Sequence, residues 1–382
     1  MTPFPTTTSS LTHALGVALD WVREHRDAFG DDFPTSGYPL YQQAPNTHWM
    51  AGFWPGMLWL AYHATGDEAL RRKAEALSPS FVARLDQRVN LIHDVGFLYL
   101  LSCRAQWMLT GEEHARVTAL RAAEALAQRF NPKGGYIQAW GEIGDPAEAG
   151  RMIIDCMMNI NLLYWASDQT GDARYQEMAR RHAQASMTHL VRADGSTYHT
   201  FFFDPHTGDP IYAQTHQGFS DDSVWSRGQA WTIYGFALSA EWTGDEVFLH
   251  TAQKAADYFL TLSPSHRTPL WDFQLPPDAP QLWDSSAGAI AAAGLLRLAR
   301  LTGRDAYRIQ AETLLRALIR DCMEPDSDRP GLLRHSAQHV PHGHTPDGYT
   351  IFGDYFFLEA LLTATDSPPD FWGKQDNKTK GR

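Results

Sequence analysis

The stretch SSAGAIAAAGLLRLARLTGRDAYRIQAETLLRALI, residues 285–319, places two kinds of helix on either side of one Thr-Gly pair. Before Thr302-Gly303 the residues are apolar on nearly every side; after it, charged and apolar residues alternate with a helical period. A helix that is apolar all round belongs inside, and a one-faced helix belongs on the outside covering it. The glycine between them suits the left-handed residue that ends a helix.

The same turn recurs along the chain. Thr-Gly stands at 65–66, 110–111, 170–171 and 243–244 as well as 302–303, and in four of the five cases an Asp or Glu follows at once. An acid there suits the positive N-terminus of the next helix. The runs before the turns are HWMAGFWPGMLWLAYHA, HDVGFLYLLSCRAQWML, IIDCMMNINLLYWASDQ and DDSVWSRGQAWTIYGFALSAEW, together with the run already quoted; a sixth, IFGDYFFLEALLTA, comes near the chain's end. Six buried helices alternating with six amphipathic ones predict an all-α (α/α)6 toroid, a six-hairpin barrel, whose first outer helix spans roughly residues 10–26. No Pro- or Ser-rich linker divides the chain. The expectation is one domain over residues 1–382, with a polar tail from about residue 366 that is loose at its end. The strand-like patches TYHTFFFD and PIYAQTHQ read as hairpin-like loops between helices.

Composition excludes several classes. The 382 residues are 43% hydrophobic and 12% aromatic, enough for a large core. Lys and Arg number 32 against 44 Asp and Glu, a net charge of −12, and the positives form no stripe. Nucleic acid and anionic membrane are therefore excluded as partners. No segment approaches the roughly eighteen uncharged apolar residues of a membrane span, and the N-terminus has no signal-peptide pattern. Cys103, Cys156 and Cys322 sit in apolar helical surroundings without CxxC spacing, which points to a reducing compartment and the cytoplasm.

Strict alternation makes all six inner helices run the same way, so their N-termini gather at one mouth. The unexpected polar residues fall there: His48 and Trp49; His93 and Asp94; Asp155; Asp221, Asp222, Trp225 and Arg227; Trp283 to Ser286; Gly353 and Asp354. Converging N-termini and an arginine favour an anion, and an aromatic-rich pocket, with Trp49, Trp54, Trp140, Trp225 and Trp231, suits sugar rings. A carboxylated sugar satisfies both. Asp94 and Asp155 are then acid and base candidates, because paired carboxylates in unlike surroundings can split their pKa values. Plainer readings exist: either acid could simply complement its helix dipole, Arg227 could form an interhelical salt bridge, and the tryptophans could be core. Against a capping role for Asp155 stands its apolar company of Met157, Met158 and Ile160. His342 and His344 form an HGH pair, but no HExxH or Cys/His ligand set accompanies it; a solvated loop is the better reading, and no metal is expected.

LIHDVGFLYL, RMIIDCMMNINLLYWAS, HQGFSDDSVWSRGQAWTIYGFA and IFGDYFFLEALL resemble the unsaturated glucuronyl hydrolases, glycoside hydrolase family 88, and the resemblance runs in register from NTHWMAGFWPG to the last helix. It implies an (α/α)6 barrel acting on oligosaccharides that carry a terminal Δ4,5-unsaturated uronic acid left by a polysaccharide lyase. By the same resemblance Asp155 protonates C4 of the enol ether and then takes a proton from the water that adds at C5. The hemiketal opens and the glycosidic bond is lost. Asp94 is expected to stay ionised and tune Asp155 or hold the sugar. His199, Gln217, Arg227 and Trp231 match contacts to the uronate, with Arg227 the partner of its carboxylate, while Trp49, His93, Trp140 and Trp225 match the rest of the wall. No cofactor is implied. Members that favour sulfated disaccharides carry serines and a lysine in the loop before the last inner helix, where this chain has RHSAQHVPHGHTPDGY without a lysine. An unsulfated unit, from hyaluronan or chondroitin, is the expectation. Three rival readings remain: an unsaturated rhamnogalacturonyl hydrolase acting on pectin fragments, a conventional inverting glycosidase, and a non-catalytic acidic-sugar binder.

Overall fold

The structure is a computed structural model that describes residues 8–324, 330–365 and 368–374. Helices alternate between an outer and an inner layer. On the outside, α1 (Thr8–His25) leads through a 3-10 turn at Trp49–Gly52 to the inner α2 (Phe53–Thr65), which is followed by the outer α3 (Glu68–Asp86). The second inner helix comes in pieces, α4 (Val95–Tyr99), a π turn at Leu100–Arg104 and α5 (Ala105–Thr110), before the outer α6 (Glu113–Ala127). The third is also split, α7 (Cys156–Asn159) and α8 (Asn161–Thr170), with α9 (Ala173–His189) outside it. The last three hairpins follow: α10 (Ser226–Thr243) with α11 (Glu246–Leu262), α12 (Ser285–Thr302) with α13 (Asp305–Asp321), and α14 (Ile351–Thr365), which pairs with α1. The inner helix α14 also packs on α2 and α12, which closes the ring. This is the (α/α)6 toroid that the sequence predicts. Its inner layer is as dry as the apolar runs require: every residue from Ile351 to Leu362 in α14 and from Ser285 to Leu298 in α12 is buried.

The recurring turn owes its glycine to backbone conformation. Gly66, Gly111, Gly171, Gly244 and Gly303 have φ of +70°, +74°, +74°, +71° and +65°, and a Cβ added at any of them would meet nothing within 4 Å. Space is free, so what demands glycine is the left-handed backbone. The threonine before each glycine accepts the N–H two residues on, at 3.1–3.3 Å, and donates its hydroxyl back to the carbonyl four residues earlier. Asp67, Asp172 and Asp245 then cap the next helix through the N–H of Ala69, Arg174 and Val247. Glu112 and Arg304, in the same place, make no side-chain cap.

Two expectations need correcting. TYHTFFFD and PIYAQTHQ are more than loops: Thr200–Phe203 pairs antiparallel with Pro210–Gln214 and with a third strand at Arg151–Ile153, just before Asp155. The tail is not simply polar either. Phe371 and Trp372 are buried beneath the ring, where Trp372 stacks on Phe356 and donates its Nε1–H to Glu359 at 2.7 Å. Arg104 binds the carbonyls of Phe371 and Gly373, and Arg297 pairs with Asp370 and Glu241. The loose end was expected further on, and residues 375–382 lie outside the described residues. No described helix is long and apolar enough to cross a membrane.

Removing the Trp372 ring leaves a void against Phe356 and takes one of three donors, beside Tyr234 and Tyr355, from the buried Glu359 carboxyl. Trp372→Ala is expected to cost about 3–5 kcal/mol in denaturant unfolding; unfolding at the wild-type midpoint would show that the segment is not part of the core.

Candidate active site

Asp94 and Asp155 occupy the N-cap positions of α4 and α7, and neither makes a side-chain cap hydrogen bond. Neither acid is therefore a cap by hydrogen bond, although both stand where a carboxylate complements the helix dipole. The strand at Arg151–Ile153 and the short α7 hold Asp155 beside the first turn of α4, with which α7 packs. Each carboxylate has a histidine next to it: His93 Nε2 lies 3.4 Å from Asp94 Oδ2, and His199 Nε2 lies 3.7 Å from Asp155 Oδ2.

The tautomer of His199 follows from its neighbours. Its Nδ1 accepts the backbone N–H groups of His216 at 3.0 Å and Gln217 at 3.1 Å. The ring is neutral, since burial holds its pKa well below the ordinary value, so the proton sits on Nε2, facing Asp155. Burial likewise pushes His93 down to about 3. Both carboxyls shift the other way. Asp155 is raised to about 6 by burial, against the opposing pull of Arg227, its own backbone N–H and the Trp231 indole. Asp94 is raised further, to about 8, by burial and then by the charge of Asp155, against Arg84 and Arg129. Burial thus raises both carboxyls, and the charge of Asp155 works against ionisation of Asp94, opposite to the expectation that Asp94 stays ionised.

The other expected residues gather around this pair. Trp225 packs its ring 4.3 Å from His199. Trp231 is fully buried and lies tilted against Phe97, the ring centroids 5.3 Å apart. Half-buried Trp49 meets Phe97 at 5.7 Å and Phe352 at 5.1 Å. Trp140 stands at the rim, 6.5 Å from His93 and 4.7 Å from His216, under the Arg151 guanidinium. Gln217 donates its side-chain amide to the Gln338 carbonyl at 2.7 Å.

Arg227 is placed as expected but engaged otherwise. Its Nη1 bonds Asp284 at 2.7 Å and the Ala337 carbonyl at 2.6 Å, and its Nη2 bonds the Gln338 carbonyl at 2.6 Å. The guanidinium lies between the Trp225 and Phe352 rings. The interhelical salt bridge is the observed role, and the fork that would take a sugar carboxylate is largely committed to the protein.

Some groups escaped the sequence reading. His339 is 6% exposed with both ring nitrogens unpartnered, and it stacks at 4.1 Å on His342 and edge-on at 4.7 Å to His216. Its signal was visible in the same loop as the HGH pair, whose two histidines are exposed as expected. Among the described residues no group of His, Cys, Asp or Glu could hold a metal ion. What distinguishes the mouth is its supply of buried polar atoms without a partner: His93 Nδ1, Asp155 Oδ2, His199 Nε2, Trp231 Nε1 and both nitrogens of His339. Such atoms are costly unless a ligand or water meets them. Here they cluster around the two carboxyls.

Comparison with known proteins agrees with this geometry. The profile of Glycosyl Hydrolase Family 88 matches residues 21–350. An unsaturated glucuronyl hydrolase from Bacillus sp. (strain GL1) is 45% identical over 368 residues, 94% of this chain and 98% of that one. An unsaturated chondroitin disaccharide hydrolase from Streptococcus pyogenes serotype M1 is 42% identical over 95% of this chain and 93% of that one. The crystal structure of the Bacillus sp. GL1 enzyme superimposes with a TM-score of 0.91 at 44% identity, covering 97% of this chain and all of that one.

The raised Asp94 also makes a claim on stability. Its carboxyl titrates at about 8 when folded against an ordinary 3.8, so the folded state holds the proton more tightly, and stability is lost as pH rises across that window. Asparagine cannot ionise and escapes the loss. The melting temperature of Asp94→Asn minus that of the wild type should therefore grow from pH 4 to pH 8; a difference independent of pH would contradict the assignment.

Proposed function

The chain belongs to glycosyl hydrolase family 88, and from that premise we propose that it releases the terminal Δ4,5-unsaturated uronic acid of lyase-generated oligosaccharides, by hydrating the C4=C5 enol ether. The observation that carries this reading is the carboxyl pair itself: two buried acids, both raised, with Asp155 at about 6 and Asp94 at about 8. Hydration of an enol ether needs one group that gives a proton and then takes one back. A pKa near the working pH serves both steps.

In the first step Asp155 delivers its proton to C4, and positive charge develops at C5 and the ring oxygen. A water then bonds to C5 and passes a proton to the Asp155 carboxylate, which restores the acid. The resulting hemiketal opens by breaking the bond from C5 to the ring oxygen, and collapse at C1 expels the remaining sugar as an alcohol. Asp94, protonated, leaves Asp155 as the single ionising member of the pair and has an O–H to offer a ligand. Neutral His199 directs Nε2–H toward the same space, and the rings of Trp49, Trp140 and Trp225 supply flat apolar surface for the sugars.

The substrates we assign are unsaturated glycosaminoglycan-type disaccharides. An unsulfated unit is favoured because the loop before α14 has no lysine, and its His339, like His216 beside it, is held neutral by burial, down to about 3 and about 4. All three cysteines are free and buried, which fits a reducing compartment, and we assign the enzyme to the cytoplasm on that ground.

Purified protein mixed with unsaturated hyaluronan or chondroitin disaccharide should remove the ultraviolet absorbance of the double bond, and Asp155→Asn should not. Because the first step needs protonated Asp155, kcat/KM should fall as pH rises through about 6. Retained activity in Asp155→Asn, or a rate flat across that range, would reject the role of Asp155. Persistence of the absorbance with folded wild type would reject the substrate class.

A further inference from the structure

Asp94 sits where an N-cap residue sits, and the N–H that such a residue would accept is that of Phe97, three positions on. That N–H is not left bare. It donates at 2.7 Å to the side-chain oxygen of Asn159, from the other catalytic helix. Asn159 is fully buried and lies one turn after Asp155, to whose backbone carbonyl it donates its amide at 3.3 Å. One side chain thus caps the helix of Asp94 while tied to the residue that carries the second carboxyl.

The packing around it leaves no slack. A Cβ on Gly96 would stand 2.3 Å from Asn159 Cα and 2.5 Å from its carbonyl oxygen, so the two helices touch backbone to backbone two residues from Asp94. The ring of Phe97, whose N–H makes the bond, is wedged among Trp49, Phe53 and Trp231. Nothing else among the described residues bonds the first turn of α4 to the first turn of α7 through a side chain.

We propose that Asn159 is a positioning residue for the reaction: by capping the Asp94 helix from the Asp155 helix, it keeps the Asp94 carboxyl out of its own cap and at a set separation from Asp155. Without Asn159 the free Phe97 N–H draws the Asp94 carboxylate back onto its own helix. There the hydrogen bond favours the ionised form, and the carboxyl leaves the pocket.

The catalytic part of this inference rests on the hydration reaction assigned above, so its test has two readouts. The first is kinetic. Asn159→Ala should lower kcat roughly tenfold or more with KM within about twofold, and should cost far less in an Asp94→Asn background, where there is no carboxyl left to misplace. The second needs no turnover. The Asp94 side-chain carbon resonance, assigned by comparison with Asp94→Asn, should titrate near 8 in the wild type and clearly lower in Asn159→Ala. Asn159→Asp keeps an acceptor for the Phe97 N–H and adds a carboxyl whose charge can only raise the Asp94 titration, so that titration should not fall below its wild-type position, and the variant stands in if the alanine variant does not fold. An unmoved Asp94 titration in Asn159→Ala, a collapsed one in Asn159→Asp, or an undiminished kinetic cost in the Asp94→Asn background would overturn the proposal. Wild type that leaves the disaccharide intact would defeat the reaction assignment alone, with the titration still reading the placement of Asp94.

Discussion

A glycine at positive φ, five times repeated, is the constraint on which the rest of the structure depends. It ends the first five inner helices abruptly and sends the chain outward, so that an outer helix must return it to the starting side before the next inner helix can begin. Parallel inner helices follow, and with them a mouth where six N-termini meet. The apolar runs decide which helices are inside; the left-handed turn decides which way they point. A site at that mouth is a consequence of the turn as much as of the residues that line it.

Helix N-termini ordinarily stabilise carboxylates in their ionised form, by about 0.3–1 kcal/mol each. The active-site acids run against that tendency because burial is the larger effect. Moving Asp94 from 3.8 to about 8 corresponds to on the order of 5 kcal/mol, well beyond what a dipole returns. The site achieves this by separating two things that usually coincide, a place at the N-cap and the making of a cap. Asp94 has the first without the second because Asn159 makes the bond instead. A carboxyl released from capping is free to hold a proton, and with Asp94 neutral its charge does not burden Asp155. The two acids differ in this way although both stand at the start of an inner helix.

Much of this was legible in the sequence, and what was not has identifiable causes. Periodicity and the Thr-Gly pairs carry the fold because each turn is local, written within a few residues of where it acts. Trp49, His93, Asp94, Asp155, Trp225 and Arg227 could be placed at one mouth for the same reason, since topology alone brings helix starts together, whereas His199 and Gln217, off the helix starts, came only from the resemblance. Relations between segments far apart in the chain are another matter. The tail seemed polar because Phe371 and Trp372 are only two residues among many hydrophilic ones, and only the ring shows the gap they fill. The third strand at Arg151–Ile153 is too short to show a period of its own. The protonation order of Asp94 and Asp155 depends on the depth of each carboxyl and on which arginines stand near it, and no spacing records either. His339 is hidden in the sequence by the HGH pair three residues on, whose lack of a ligand set marks the loop as solvated.

The arginines complete the argument about how the site meets an anion. Arg84 holds the carbonyls of Thr47, His48, Val89 and Asn90, and Arg129 holds those of Leu91, Gln138, Ala139, Trp140 and Gly141. Arg227 is likewise divided between Asp284 and the carbonyls of Ala337 and Gln338. All three use their guanidinium donors to staple the loops of the mouth, which a ring of helices needs because its loops have little else to pack on. Their charge still reaches the acids, Arg84 and Arg129 acting on Asp94 and Arg227 on Asp155. These three cations therefore set the potential of the pocket from behind its walls, while the unpartnered donors beside Asp155 are neutral ones, the Trp231 indole and His199 Nε2. A neutral donor beside Asp155 does not lock it as a carboxylate in the way a directly paired guanidinium would, and that restraint leaves its pKa raised to about 6.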